Sequence, residues 1–235
     1  MKKNASCTLL SLICALSACS SSEENGTISF TSWGEEYIEK EIPASSVADG
    51  WTIHYNKFLV NFTAITVADA SGAVAGKQTG SKLVNHVTPG VKPLLTLRNV
   101  TAKAWTHVSY ELAPATQDAD ASLVTEADKA LMVQGGYSVY VDAVATKGTV
   151  SKKYAWGFRT HTLFDRCKGE LSGKDTDGSV VTNGGTDTIE LTIHGDHLYY
   201  DDLQAPEAKV RFDAIASADA NNDGTVTLEE LAQVK

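Results

Sequence analysis

The chain has 235 residues, 43% of them hydrophobic, and a formal net charge of −9 at pH 7. A chain of this length and apolar content can bury an ample core without disulfides. An acidic surface without a basic patch repels phosphate backbones, and this argues against nucleic acid as a partner.

The first residues, MKKNASCTLLSLICALSAC, have the pattern of a signal peptide. Lys2 and Lys3 precede a short apolar run that ends at Leu16, and this run is too short to span a membrane. Residues 16–19, LSAC, resemble the lipobox of bacterial lipoproteins. The resemblance implies cleavage after residue 18 and lipid on the sulfur of Cys19. The alternative is an ordinary secreted protein whose signal happens to end in cysteine.

The lipobox resemblance also predicts where the protein resides. Two or more acyl chains suffice for stable anchoring, so we expect a lipid-anchored protein of the cell envelope that contacts the membrane through Cys19. Ser20, in place of Asp, favours the outer membrane, on its periplasmic or surface face. Cleavage would remove two lysines and no acid, which lowers the formal charge from −9 to −11. We predict a signal peptide at 1–18 and a lipidated tether at 19–27.

The body, predicted at 28–200, reads as a series of strands. Apolar residues alternate with more polar ones in FLVNFTAITV, and the same period of two recurs further along. The alternating sets are Phe58, Val60, Phe62 and Ala64; Val108, Tyr110 and Leu112; Tyr137, Val139, Val141 and Ala143; Tyr154, Trp156 and Phe158; and Ile189, Leu191 and Ile193. Turn residues separate these runs. We therefore predict a mainly β fold, an antiparallel β-sandwich.

Cleavage of the signal would leave Cys167 as a single cysteine besides the lipidated one. An odd thiol is unusual in an oxidising compartment. We expect it to be buried, to pair between molecules, or to have a partner beyond residue 235.

Histidines and acids concentrate near the end of the body, in TIHGDHLYYDD at 192–202. Alternation places His194, and likewise His161 on an earlier strand, on polar faces. If those two strands pair, His161, His194 and His197 could converge on zinc or copper, because neutral imidazole is a common ligand of both. The alternative is structural, with His194 and His197 orienting the turn and Asp201 docking the segment that follows.

The segment DANNDGTVTLEE, residues 219–230, has the residue order of a calcium-binding loop. Calcium takes six to eight oxygen ligands, and Gly224 stands where such a loop turns sharply. Val226 is expected to face the core or a partner loop. The expected ligands are Asp219, Asn221, Asp223, Thr225, Thr227 and Glu230. The full match resembles the EF-hand family, and a dockerin half is a weaker resemblance.

An EF-hand requires a flanking helix on each side. Pro206 and Glu207 suit the first turn of a helix over 206–218, and Leu231 continues an apolar stripe after the loop. We find no second such loop in the sequence. We therefore predict a short helix-loop-helix unit at 201–235.

The chain as a whole resembles uncharacterised bacterial lipoproteins that have a β-rich body, an IHGDHL(F/Y)YD segment and a terminal EF-hand-like loop. Two functions follow from the sequence. The first is a calcium-binding, lipid-anchored envelope protein in which calcium braces the C-terminal unit. The second is a copper- or zinc-binding envelope protein. No nucleophile elbow, phosphate-cradling loop or HExxH helix is present, so we do not predict an enzyme.

Overall fold

The structure is a computed structural model that describes residues 24–78, 80–202 and 204–234. The predicted signal peptide and the predicted lipidation site, Cys19, lie outside these residues. The strands are β1 (Asn25–Trp33), β2 (Thr52–Ala68), β3 (Val74–Lys77), β4 (Lys82–Asn85), β5 (Lys92–Thr101), β6 (Ala104–Trp105), β7 (His107–Leu112), β8 (Asp120–Leu123), β9 (Val139–Lys147), β10 (Val150–Phe158), β11 (Thr162–Phe164), β12 (Lys168–Leu171), β13 (Lys174–Asp177), β14 (Ser179–Val180) and β15 (Thr186–Thr192). The helices are α1 (Glu35–Glu39), α2 (Glu126–Gly135), α3 (Asp213–Ala216) and α4 (Leu228–Leu231).

The described chain is mainly β, as predicted, but its sheets are not all antiparallel. One sheet has the strand order β15-β1-β5, and its β1–β15 pair is parallel. An eight-stranded sheet follows the path β10-β9-β2-β4-β8, with β3 and β7 also paired to β2 and β11 paired to β7. Its β4–β8 pair is parallel too. The prediction of purely antiparallel pairing is therefore wrong, because chain crossovers bring β15 and β8 beside their neighbours in the parallel direction.

Both sheets contribute to one hydrophobic core. Ile28 and Phe30 of β1 belong to the same buried cluster as Ile53 and Phe62 of β2. The N-terminal boundary of the body lies earlier than predicted, since β1 begins at Asn25 inside the predicted tether.

The alternation predicted in β2 holds only for its first part. Phe58, Val60 and Phe62 are buried, but the pairing of β2 with β7 shifts register between Phe62 and Ala64. Beyond this irregularity the buried positions are Ile65 and Val67. A β-bulge adds one residue and so moves every later side chain to the opposite face.

A helix that the sequence analysis did not predict covers the other side of β2. Helix α2 begins at a capping box in which Thr125 and Asp128 bond reciprocally, and Gly136 ends it with φ 61°. Its Met132 packs with Leu59 and Leu83 in a second buried cluster. Strand β2 is consequently buried on both faces over this stretch.

The C-terminal segment differs from the predicted helix over 206–218. Pro206 and Glu207 lie in a turn, and the helix that does form, α3, has only four residues. The preceding backbone is extended because Val210 forms an antiparallel bridge with Tyr200, and Arg211 N donates to Tyr199 O over 2.9 Å. Helix α4 also has four residues. Within the described part of the C-terminal segment, the loop is therefore flanked by two short helices and not by two long ones.

The C-terminal segment also contributes to the main core. Phe212, Ala218 and Val226 belong to the buried cluster shared by the two sheets, and Ile215 and Leu231 pack against it. No helix among the described residues has both the length and the apolar character needed to span a membrane.

Candidate functional site

The loop at 219–230 is folded around its own side-chain oxygens. Asp219 accepts hydrogen bonds from the backbone amides of Asp223 and Gly224 at 3.1 and 2.9 Å. Asn221 Oδ1 accepts from Asp223 N at 2.8 Å, and Asp223 Oδ1 accepts from Thr225 N at 2.8 Å. These bonds gather the oxygens of the first three predicted ligands along one tight stretch of backbone.

Two residues of the loop have left-handed backbone conformation. Asn222 has φ 58° and Gly224 has φ 83°. Asn tolerates this region better than most residues, and glycine adopts it without a Cβ penalty. A Cβ at Gly224 would meet nothing closer than 3.7 Å, so the backbone angle is what requires glycine here.

The second half of the loop docks on β10, a strand at the edge of the eight-stranded sheet. Thr225 forms a parallel bridge with Lys153. Lys153 N donates to Gly224 O, and Val226 N donates to Lys153 O, each over 2.8 Å. The indole of Trp156 donates to Val226 O over 2.9 Å. The loop therefore extends the sheet by one short bridge and covers an edge that would otherwise be open.

Val226 anchors this docking, as the sequence predicted. Its side chain is fully buried within the shared core. Of the two surroundings predicted for the Val226 side chain, a core or a partner loop, the structure shows the core. The loop itself contacts strand β10.

The carboxylates at the two ends of the loop, those of Asp219 and Glu230, already have partners. The Asp219 carboxylate is buried, and the ammonium of Lys152 lies 2.5 Å from its Oδ2. The hydrogen bond from Lys152 lowers the pKa of Asp219, against the opposing effect of burial. At the other end of the loop, Glu230 Oε2 accepts from the amide and hydroxyl of Thr227, both at 3.0 Å, in the capping box of α4.

Polar contacts fix the chain ahead of the loop onto the body. Asp49 Oδ2 accepts from the amides of Phe212 and Asp213 at 2.8 and 2.7 Å. Asp213 in turn accepts from the Trp51 indole at 2.7 Å and pairs with Lys147 at 2.9 Å. The hydrogen bond from Trp51, followed by that from Lys147, lowers the pKa of Asp213. The backbone at residues 212–213, just ahead of the loop, is consequently held in place by side chains from distant parts of the chain.

The predicted histidine set is only partly brought together. His194 and His197 lie side by side, with ring centroids 4.7 Å apart and planes 13° apart. Together with Asp196 they offer three ligand atoms within 4.8 Å of one another.

His161 does not belong to this group, so the prediction of convergence with it is wrong. Its imidazole pairs with Glu111 instead. The condition for convergence was that the two strands pair. The strand before His161, β10, pairs with β9, and the strand before His194, β15, pairs with β1 in the other sheet.

Two further predictions concern Asp201, which follows the histidine cluster in sequence, and Cys167, which lies elsewhere in the chain. Asp201 accepts from Lys209 N at 2.9 Å and pairs with Arg211 at 2.7 Å, so it does hold the following segment. The Cys167 thiol is unpaired in the described structure, half-buried, and lies 3.5 Å from Phe164 O. Burial, followed by the charge of Asp165, raises the pKa of this thiol, which does not suit a nucleophile.

Sequence reasoning missed two charged neighbours of the candidate sites: Lys152, which pairs with Asp219, and Glu35, whose Oε2 lies 3.1 Å from His194 Nδ1. Lys152 shares a strand face with Tyr154 and Trp156. A lysine on the apolar face of a predicted strand needs a charged partner, and this could have indicated its pairing with an acidic residue.

No protein family, curated protein or solved structure shows a significant match to the chain.

Proposed function

We propose that the protein is a calcium-binding, lipid-anchored protein of the cell envelope in which calcium braces the C-terminal loop against a β-sandwich formed by the two sheets. The observation that carries the proposal is the loop at 219–230, which has ligand-type oxygens at its expected positions and is docked on β10 through Val226.

Calcium would take oxygens from both ends of this loop. Hard divalent cations prefer carboxylate, amide and carbonyl oxygens, which the loop supplies in the order an EF-hand uses. The proposed ligands are Asp219, Asn221, Asp223, Thr225, Thr227 and Glu230. The left-handed conformations of Asn222 and Gly224 support this assignment, because they already place the chain in the required sharp turn.

Binding would exchange two existing contacts for the ion. The Lys152 ammonium would have to leave Asp219, and the Glu230 carboxylate would have to turn from Thr227 toward the centre of the loop. Both exchanges oppose binding. We therefore expect a dissociation constant on the order of 10⁻⁴ to 10⁻³ M, as in extracellular calcium modules.

A bracing role fits the packing around the loop better than a switching role. Sensor EF-hands open a methionine-rich apolar groove for a target. Here methionine occurs only at positions 1 and 132, and the apolar residues Phe212, ahead of the loop, and Val226, within it, are buried in the main core. A bound ion would stabilise this packing.

Calcium titration of the full chain by calorimetry tests the proposal. We expect one ion per chain, with binding abolished in Asp219→Ala and in Glu230→Ala while the body stays folded. Asp175→Ala is the matched control, because Asp175 lies in the similar segment DTDG but on the exposed strand β13. Absence of binding heat at millimolar calcium with the unmutated chain would refute the proposal.

A further inference from the structure

A second cluster of ligand-type side chains lies away from the calcium loop, where β15 ends. His194 follows this strand, and Asp196 and His197 lie in the 3₁₀ turn Gly195–Tyr199. We infer that His194, Asp196 and His197 bind one divalent transition-metal ion of the Zn²⁺ or Cu²⁺ class, and that Glu35 orients His194 for this task.

The backbone that carries these ligands is rigidly held. Gly195 O accepts a hydrogen bond from the buried Tyr55 hydroxyl at 2.6 Å. A Cβ at Gly195 would lie 2.6 Å from Ile38, so the chain passes too close to α1 for any larger residue. On the other side, Ile193 N donates to Trp33 O over 2.8 Å. A metal site gains precision when its ligands stand on such a fixed segment.

Glu35 meets His194 from the neighbouring element. It is the first residue of α1 and is separated from the end of β1 by Gly34 alone, and its Oε2 lies 3.1 Å from His194 Nδ1. Its backbone has φ 54°, an unusual conformation for a non-glycine residue. A carboxylate at this nitrogen favours the tautomer with the proton on Nδ1, which leaves the lone pair of Nε2 available to a metal.

The remaining contacts also suit a metal site better than a purely structural turn. Within the described residues, the His197 ring contacts the rings of His194 and Tyr200 and forms no hydrogen bond. The ring nitrogens of His197 are therefore not engaged by the described residues and are open to an ion. Asp196 Oδ2 accepts from the Tyr200 hydroxyl at 3.2 Å, the kind of support that ligating carboxylates receive.

The ligand set indicates the class of metal. Two imidazole nitrogens and one carboxylate oxygen suit Zn²⁺ and Cu²⁺, whereas Ca²⁺ and Mg²⁺ require mostly oxygen ligands. Three protein ligands leave one coordination position for water or another ligand. This site shares no residue with the calcium loop, so each can exist without the other.

Titration of the full chain with ZnCl₂ and, separately, with CuCl₂, both in saturating calcium, tests this inference. We expect one high-affinity ion per chain, and elemental analysis of the protein as purified distinguishes zinc from copper. His194→Gln and His197→Gln should each weaken binding by at least about a hundredfold, more than the loss of a supporting partner. His161→Gln is the matched control, since His161 is also exposed and paired with a carboxylate.

The role of Glu35 in orienting His194 needs a measurement that a purely structural role of Glu35 would not change. We expect Glu35→Gln to weaken binding roughly 10- to 100-fold and Glu35→Asp to restore much of it. Imidazole ¹⁵N shifts of the metal-free protein should show His194 protonated at Nδ1 in the unmutated chain and a mixture of tautomers in Glu35→Gln.

The inference is overturned if the unmutated chain binds neither ion more tightly than millimolar, or if both histidine variants, shown to be folded by circular dichroism, bind like the unmutated chain. An Asp219→Ala chain that still binds one zinc or copper ion would show that the result does not depend on the calcium loop.

Discussion

At the scale of single residues, we predict that Lys152 limits how readily the proposed calcium loop accepts an ion. Its ammonium lies 2.5 Å from Asp219 Oδ2, and the Lys152 side chain is only 14% exposed, so the pair is poorly screened by water. Without this charge the Asp219 carboxylate would be free, and calcium would no longer have to displace the ammonium from it. We expect Lys152→Gln to tighten calcium binding about tenfold, measured by calorimetry.

The neighbouring lysine provides the control for this prediction. Lys153 has the same charge as Lys152 and lies on the same strand, but its side chain is exposed on the other face of β10. Lys153→Gln should change calcium affinity less than threefold at 0.15 M salt, because exposed charges are screened over about 8 Å. Equal effects of the two substitutions would show that general electrostatics, and not the contact with Asp219, determines the affinity.

A second residue-scale prediction concerns His86, which is almost fully buried. Its Nε2 lies 2.7 Å from Ser32 Oγ, which donates to Leu191 O, and no described residue forms a hydrogen bond of normal geometry with its Nδ1. Burial, with the nearby charge of Lys92, lowers the pKa of His86 from 6.5 to about 3.

The sign of the pH effect follows from this lowered pKa. Between pH 6.5 and 3 the unfolded chain binds a proton at His86 that the folded chain does not, so the free energy of unfolding falls as the pH falls through this window. The loss is at most about 1.4 kcal/mol per pH unit. We expect His86→Gln to flatten this part of the stability curve, measured by urea unfolding, and the exposed His54→Gln to leave it unchanged. An identical slope in both variants would contradict this role of His86.

At the scale of elements, the periodicity of the sequence predicted the strands well, and long-range pairing accounts for what it missed. On β10, the side chains of Tyr154 and Trp156 face the hydrophobic core, as the alternation indicated. The bulge in β2 was not predictable, because it depends on the register with β7. Helix α2 did leave a signal, the capping box at Thr125 and the glycine that ends the helix.

The two candidate sites were predictable to different degrees for the same reason. The proposed calcium ligands all lie within one short segment of the chain, so a twelve-residue pattern contains the whole set. The histidine cluster combines a local segment, 194–197, with Glu35 from a different strand end. Strand order decides which distant residue approaches, and His161 was excluded by that order.

The N-terminal segment gives an element-scale prediction about location. We expect Cys19→Ser to block lipid attachment and to release the protein from membranes, since the lipobox cysteine is the proposed point of attachment. Fractionation after a carbonate wash measures the release, with Cys167→Ser as the control that retains the lipobox. A Cys19→Ser protein that still sediments with membranes would show that the lipobox interpretation is wrong or incomplete.

At the scale of the whole molecule, the C-terminal segment closes one edge of the larger sheet and completes the shared core. Val226 and Phe212 are both fully buried there, although the helices in the described part of the segment, α3 and α4, have four residues each. Its stability must therefore come from docking, because helices of four residues are not stable alone. An ion that ties the two ends of the loop together would stabilise this docking without a change of fold.

Hydrogen exchange with and without calcium tests this bracing most directly. Calcium that binds the folded state alone should add about 2.7 kcal/mol of stability at a hundred times its dissociation constant. Protection should increase mainly from residue 204 onward and at the amides that join the loop to β10, those of Lys153 and Val226. Bracing is contradicted if calcium leaves exchange there unchanged, or if it exposes an apolar surface that binds a hydrophobic dye.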